Sequence, residues 1–211
     1  MTKVFFSVTM SLDGFIAPDS QDTQTWWRKW MDLQGWVFEQ AFFRSNLGLG
    51  DGGETGKDNE ILEGTYARTG VSIMGKRMFD AGERGWPEEA PFHTPVFVLT
   101  HQEREPWHRP GGTTFYFVND GIEAALVRAH EVADGRDIRI AGGGTTILQY
   151  LNAGLVDEFS IALTPVVFGS GVSLLDGIDA ERIGLELVSA EPTPHVVHLR
   201  YRVVDKRAAA A

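Results

Sequence analysis

Apolar positions along the chain follow two rhythms. Val4, Phe5, Phe6, Val8 and Met10 crowd the stretch Lys3–Met10, whose β-branched and aromatic content predicts a buried strand. Similar short apolar runs recur at Val71–Met74, Pro95–Thr100, Thr114–Val118, Asp137–Ala141 and Val156–Leu163, each read as a strand. Between them the spacing lengthens to three or four residues. Ile122, Ala125, Leu126 and Ala129 give Gly121–Ala133 a helical face. Thr145–Ala153 reads as a helix stopped by Gly154, and another helix opens at Gly75-Lys76-Arg77. Asp58 or Asn59 caps a helix through Tyr66. Trp36–Ser45 is expected to be helical, with Phe38, Phe42 and Phe43 on one face. Leu185–Ala190 and His195–Val204 close the chain as an antiparallel pair. Strands alternating with helices, then strands alone, predict one α/β domain with a mixed sheet.

Residues 19–57 break the rhythm. They hold four of the six tryptophans (Trp26, Trp27, Trp30, Trp36) and a glycine cluster, Gly48–Gly56, read as a mobile surface loop. No internal repeat or interdomain linker appears, and 211 residues suit a single domain, taken as 1–207 with Ala208–Ala211 as a tail. The chain has no cysteine, which excludes disulfides, thiolate metal sites and cysteine nucleophiles. A net charge of −10 argues against nucleic acid or an acidic membrane surface as partner. A small anion held by a few local cations remains open. Val4–Met10 is too short to span a membrane and lacks a signal-peptide cleavage site, so a cytoplasmic location is expected.

Ile138–Ala141 runs straight into Gly142-Gly143-Gly144 and then Thr145-Thr146 at a helix start. Missing side chains let a ligand approach the backbone, and free amides of a helix start favour phosphate. Lys76 and Arg77 open the next candidate helix start, where two cations oppose the macrodipole unless an anion joins them. Thr100-His101 and Arg104 follow another strand and would complete a basic rim. Gly48–Gly53 matches G-x-G-x-x-G only literally, because no strand precedes it and no helix follows. Gly70–Lys76 fits the phosphate-loop spacing but continues with Arg77, which offers magnesium no hydroxyl. The six histidines show no metal-ligand spacing, and His195 and His198 are expected on opposite faces of a strand. No G-x-S-x-G elbow is present. Asp13, in Ser11-Leu12-Asp13-Gly14, is either a turn residue or a carboxylate of the site.

Taken in order, Ser11–Ala17, Ile73–Phe79, Val96–His101, Ile140–Gly144, Gly154–Glu158 and Pro165–Gly171 resemble the dihydrofolate reductase-like superfamily. The similarity is greatest to the branch containing the reductase domain of bifunctional riboflavin-biosynthesis proteins (the RibD C-terminal domain). The resemblance implies a mixed, mainly parallel eight-stranded sheet flanked by helices, with NADPH bound at the strand ends. By position, Gly142, Gly143, Gly144, Thr145 and Thr146 would hold the pyrophosphate, with a cis peptide between Gly142 and Gly143. Lys76 and Arg77 would face the adenosine 2′-phosphate, with His101 nearby, and Gly75 and Thr100 are further cofactor-binding candidates. Thr9, Ile16 and Ala17 would line the nicotinamide pocket. Apart from the resemblance, Asp13, Trp36, Phe168 and Gly169 are the candidates for the substrate side. Folate-reducing members carry a carboxylate on the first helix, for which Asp32 and Glu39 are the candidates here. Met78 replaces a phosphate-binding hydroxyl common in those enzymes. Both departures argue against folate reduction, and the branch resemblance favours a ribosylaminopyrimidine-type or other small heteroaromatic or carbonyl substrate. Trp36, Phe38 and Phe42 either stack a flat substrate or cover the core. The implied protein is an NADPH-dependent reductase and a homodimer; the alternative is a non-catalytic NADPH- or flavin-nucleotide-binding protein.

Overall fold

The computed structural model describes residues 2–205, and the tail Ala208–Ala211 lies outside them. The elements in order are β1 (Val4–Ser11), β2 (Phe15–Ala17), α1 (Thr23–Phe38), α2 (Ala41–Asn46) and α3 (Lys57–Arg68). Then come β3 (Thr69–Gly75), α4 (Lys76–Glu83), β4 (Pro95–Leu99), β5 (Trp107–His108), β6 (Thr114–Val118) and α5 (Ile122–Val132). The chain ends with β7 (Asp137–Gly142), α6 (Gly144–Asn152), β8 (Glu158–Thr164), β9 (Val172–Ser173), β10 (Ile183–Pro192) and β11 (Val197–Asp205).

One mixed sheet of nine strands, in the order β10-β11-β8-β1-β7-β3-β4-β6-β5, carries the fold. The expected count was eight. The edge strand β5 is only two residues long, pairing Trp107 with Phe115 and His108 with Thr114, and no period-2 signal marks it. From β8 through β6 every neighbouring pair is parallel, so six strands point the same way. β11, β10 and β5 add antiparallel margins. β2 and β9 form a small separate ribbon.

Parallel strands are covered on both faces, so they read as continuous apolar runs rather than alternations. β3 is buried from Thr69 through Met74 for this reason. On one side Phe6, Ile73, Ile138, Ile140 and Phe159 pack with Ile147 and Tyr150 of α6. The Phe6 and Phe159 rings stack at 4.6 Å. Burying each such ring contributes roughly 2 kcal/mol. A second cluster gathers Phe79, Phe115, Val96 and Met74, with Trp86 and Trp107 against it. On the α1 side, Trp36 and Val37 meet Ala162 and Val196.

Three helix expectations need correction. Trp36 lies near the end of a longer helix, α1, which Asp22 caps by accepting from Thr25 N at 2.8 Å. The chain breaks at Glu39-Gln40, where Gln40 bridges to Glu54, and α2 then starts anew. Phe38 meets Phe43, but Phe42 turns to Tyr66, so the three rings do not share a face. Neither Asp58 nor Asn59 caps a helix, because α3 opens at Lys57 and both are buried inside it. Asp58 Oδ1 meets His198 Nε2 at 2.6 Å, and Asn59 Oδ1 accepts from Phe42 N at 2.7 Å. His195 precedes β11 and reaches Glu54 at 2.8 Å, so both histidines meet carboxylates of the 54–58 stretch rather than opposite surroundings. The glycine cluster is tied at its far end, where Glu54 N donates to Glu39 O at 2.7 Å. Gly53, at φ +103°, allows that contact, since a Cβ there would lie 2.8 Å from Glu39 O.

Candidate functional site

In open α/β sheets, ligands bind outside the carboxyl ends of the parallel strands. Here β3 ends at Gly75 and opens α4, while its neighbour β7 ends at Gly142 and opens α6 through Gly143. The two turns therefore lie side by side. A Cβ on Gly75 would sit 2.5 Å from Thr146 Oγ1, so only glycine lets the first turn of α6 close on the end of β3. Gly142 takes φ +128°, and the Gly142–Gly143 peptide is cis, as the resemblance implied. Gly143 has open space where a side chain would be. Neither α4 nor α6 has a side-chain cap, which leaves their first amides available to an anion.

A cleft of about 980 Å³ runs along these strand ends. It is lined by Gly75, Lys76, Arg77, Thr100, His101, Gly143, Gly144, Thr145 and Thr146, which are thus brought together as expected. Gly142 lies buried beside them. Sequence reasoning missed the far wall, Asn119, Gly121, Ile122 and Glu123, contributed by the turn after β6 and the start of α5. The Asn-Asp-Gly turn between an apolar run and a helical face was the available signal.

The basic rim is smaller than expected. Lys76 Nζ pairs with Asp80 Oδ1 one turn along its own helix. Arg104 pairs with Glu83 at 2.7 Å and lies over the Phe117 ring. A cation at a helix start is repelled by the dipole, and an i+4 carboxylate offsets this. Arg77 is the cleft-lining cation with no carboxylate partner among the described residues, and the His101 imidazole lines the same cleft. Arg77 Nη2 donates to Thr145 Oγ1 at 3.2 Å and so links the two helix starts.

The β2–β9 ribbon closes the other side. A Cβ on Gly144 would meet Val172 Cγ1 at 3.0 Å and Ile16 Cδ1 at 3.1 Å. Ile16 therefore abuts the glycine turn, while Ala17 lies against Gly171. Thr9 is buried on β1 and donates its hydroxyl to Gln34 Oε1 at 3.0 Å. Asp13 is a clamp: it accepts from Ser11 Oγ at 2.6 Å, from Phe168 N at 3.1 Å and from Gly169 N at 2.7 Å. The Ser11 hydroxyl and these amides outweigh partial burial and lower its pKa to about 2. A carboxylate so engaged is a poor proton donor. Asp13 instead holds the Phe168-Gly169 loop against the end of β1.

Asp32 and Glu39 do not reach the site. Both are exposed, and Asp32 pairs with Arg28 at 3.5 Å on the outer face of α1. The α1 side chain that reaches β1 is Gln34, which went unnoticed because a lone amide carries no pattern. Trp36 is core, edge-on to His198 at 5.6 Å, and is no exposed stacking ring. No cluster of three or more His, Asp or Glu that could hold a metal occurs among the described residues. None of their helices is long and apolar enough to cross a membrane.

The family model for the RibD C-terminal domain matches residues 2–199. The chain belongs to the RibD C-terminal domain family. Two curated relatives come from Bacillus subtilis. YwjB is 26 % identical over 205 residues, covering 94 % of this chain and 97 % of YwjB. YyaP is 37 % identical over 73 residues, covering 35 % of this chain and 38 % of YyaP. Among solved structures, the Thermotoga maritima diaminohydroxyphosphoribosylaminopyrimidine deaminase/5-amino-6-(5-phosphoribosylamino)uracil reductase is 13 % identical with a TM-score of 0.61. That likeness covers 96 % of this chain and 57 % of the Thermotoga chain, so this chain spans little more than half of the two-activity protein. Enterococcus faecalis dihydrofolate reductase, complexed with NADP(H) and RAB-propyl, is 15 % identical with a TM-score of 0.54, covering 96 % and 97 % of the two chains. The RibD C-terminal match supports an oxidoreductase role. At these identities the solved structures show the fold alone.

Proposed function

We propose that the protein is an NADPH-dependent reductase acting on a C=N or C=O of a small heteroaromatic or ribosylaminopyrimidine-type molecule. One observation carries the proposal. The glycine turn, two uncapped helix starts and the unpaired Arg77 meet in a single cleft at the parallel strand ends. The donor set fits a dinucleotide: Gly143, Gly144, Thr145 and Thr146 would hold the pyrophosphate, and Arg77 and His101 the 2′-phosphate. The bound nicotinamide would supply the hydride. The chain's own part is to orient and enclose. Ile16 and Gly144 shape the floor, and Asp13 fixes the Phe168 loop beside β1. With no carboxylate from α1 reaching the site, the proton would come from water.

The outward Asp32 and Glu39 also favour a second reading, a nucleotide-binding protein without turnover. Parallel calorimetric titrations with NADPH, NADH and FMN test both. Tight NADPH binding with weaker NADH, followed by substrate-dependent NADPH oxidation, is the expected result. Binding without turnover across a panel of carbonyl and imine heterocycles would select the second reading. No binding of any nucleotide would overturn both. We further propose that residues 1–207 act as one unit, that the protein is cytoplasmic, and that it is a homodimer. Exposed Leu185, Leu187 and Val188 on the edge strand β10 support the dimer. A monomer mass in sedimentation would refute it.

A further inference from the structure

Met78 follows Lys76 and Arg77 in the first turn of α4. Its thioether reaches across to the neighbouring turn. A Cβ on Gly142, the last residue of β7, would lie 3.0 Å from Met78 Sδ, so the sulfur occupies the space a side chain would take there. The same side chain packs against the fully buried Met74, Phe79 and Val96. Met78 is itself half-buried and lines the cleft. The end of β3 and the start of α6 are closely packed nearby, since a Cβ on Gly75 would meet Thr146 Oγ1. A flexible, polarizable thioether suits the irregular gap between these turns.

An accessible thioether is also a target for peroxides. The sulfur lone pair attacks one oxygen of hydrogen peroxide, the O–O bond breaks and an S–O bond forms. The other oxygen leaves as water, taking both hydrogens. Sulfur gives up two electrons and the peroxide receives them. The sulfoxide is polar, and its oxygen accepts hydrogen bonds without donating any. Turned towards Met74, Phe79 and Val96, that oxygen would be buried without a donor, which is costly. The cleft side instead offers the uncapped amides at the starts of α4 and α6. There the oxygen takes up donors that an anion would use and sets its own lone pairs against the anion.

The other methionines differ in position. Met74 is fully buried, and Met10 and Met31 are half-buried but do not line the cleft. Among the described residues, Met78 is therefore the methionine whose oxidation bears on the cleft.

We propose that Met78 is a reversible oxidation site: hydrogen peroxide converts its thioether to the sulfoxide, and the modified side chain shuts phosphate-bearing ligands out of the cleft. The effect on NADPH rests on the reductase reading; the modification site does not. The full-length protein is treated with hydrogen peroxide, freed of it, and mapped by peptide mass. NADPH and inorganic pyrophosphate are then titrated by calorimetry into treated and untreated protein. One added oxygen should appear at Met78, at least fivefold more slowly when the protein is saturated with NADP⁺. Treatment should weaken NADPH at least tenfold and pyrophosphate at least fivefold. Methionine sulfoxide reductases should restore both to within twofold. In Met78→Leu, treatment should change each affinity less than twofold from that variant's own untreated value. The enzymatic rescue keeps the test decisive if the variant does not fold. Met78 left intact under conditions that oxidise Met10 or Met31 would overturn the proposal. So would a treated protein whose affinities stay within twofold, or an equal loss in Met78→Leu. Pyrophosphate binding that is lost on treatment, in a protein that never binds NADPH, would remove the reductase reading and keep the oxidation site. Binding of neither probe would overturn both.

Discussion

Glu158 opens β8 at the strand ends opposite the cleft, and it is the place where stability should depend most on one charge. Its side chain is 8 % exposed and receives three cations: Lys3 at 2.5 Å, Arg68 at 2.8 Å and Arg200 at 2.8 Å. Arg68 also binds Asp137 at 2.6 Å, so the hub joins the residue leading into β1 with α3, β7, β8 and β11. Burial by itself would raise the carboxyl pKa; hydrogen bonds from Lys3, Arg68 and Arg200 outweigh it and bring it from 4.5 down to about 2. At about 1.4 kcal/mol per pKa unit, a shift of that size corresponds to roughly 3 kcal/mol. Lys3 and Arg200 are half in solvent, which discounts the figure to about 2 kcal/mol. A depressed carboxyl pKa stabilises the fold fully above pH 4.5, and the contribution fades as pH falls towards 2. Glu158→Gln should therefore cost about 2–4 kcal/mol at pH 7, since three cations lose their partner. In a chain of this size that lowers the melting temperature by roughly 4–16 °C. Urea unfolding followed by tryptophan emission at pH 7 and pH 3 reads the difference, which should shrink at the lower pH. NADPH affinity should not change. A variant within ~0.5 kcal/mol of the parent at pH 7, or a gap that does not shrink in acid, would refute the reasoning.

Arg77→Ala removes the unpaired guanidinium of the cleft, and charge-assisted bonds are worth about 1.5–3 kcal/mol. NADPH should weaken by about 10- to 100-fold while NADH stays nearly constant; equal losses in calorimetry would show that Arg77 does not read the 2′-phosphate. Gly144→Val must push Ile16 and Val172 aside and should abolish NADPH binding, whereas Gly64→Ala, facing open space on α3, should stabilise the protein by about 0.5–1 kcal/mol in urea. Equal effects of the two glycine changes on binding would count against the glycine turn. Asp13→Asn should speed hydrogen exchange at the Phe168 and Gly169 amides at pH 7, where the carboxylate is fully ionised; unchanged exchange would dismiss the clamp.

What the sequence determined by itself was local and repetitive. The apolar runs of β1, β3, β4, β6 and β7 announce buried parallel strands because both their faces must be covered. Three glycines between a strand and a helix announce a place where backbone, not side chain, meets a ligand, and the order of motifs identifies the superfamily. Contacts between distant segments stayed hidden. Only the folded chain breaks the aromatic helix at Gln40, where Glu54 competes for its backbone, and adds the two-residue strand β5. It also decides that Asp58 and His198 are partners, that Asp13 binds a loop 155 residues away, and that Asp80 and Glu83 neutralise most of the basic rim. Above all, it turns Asp32 and Glu39 to solvent and Gln34 to Thr9. Helix phase relative to the sheet follows from how Leu33, Trp36 and Val37 bury themselves, and that burial depends on neighbours that a linear pattern does not name.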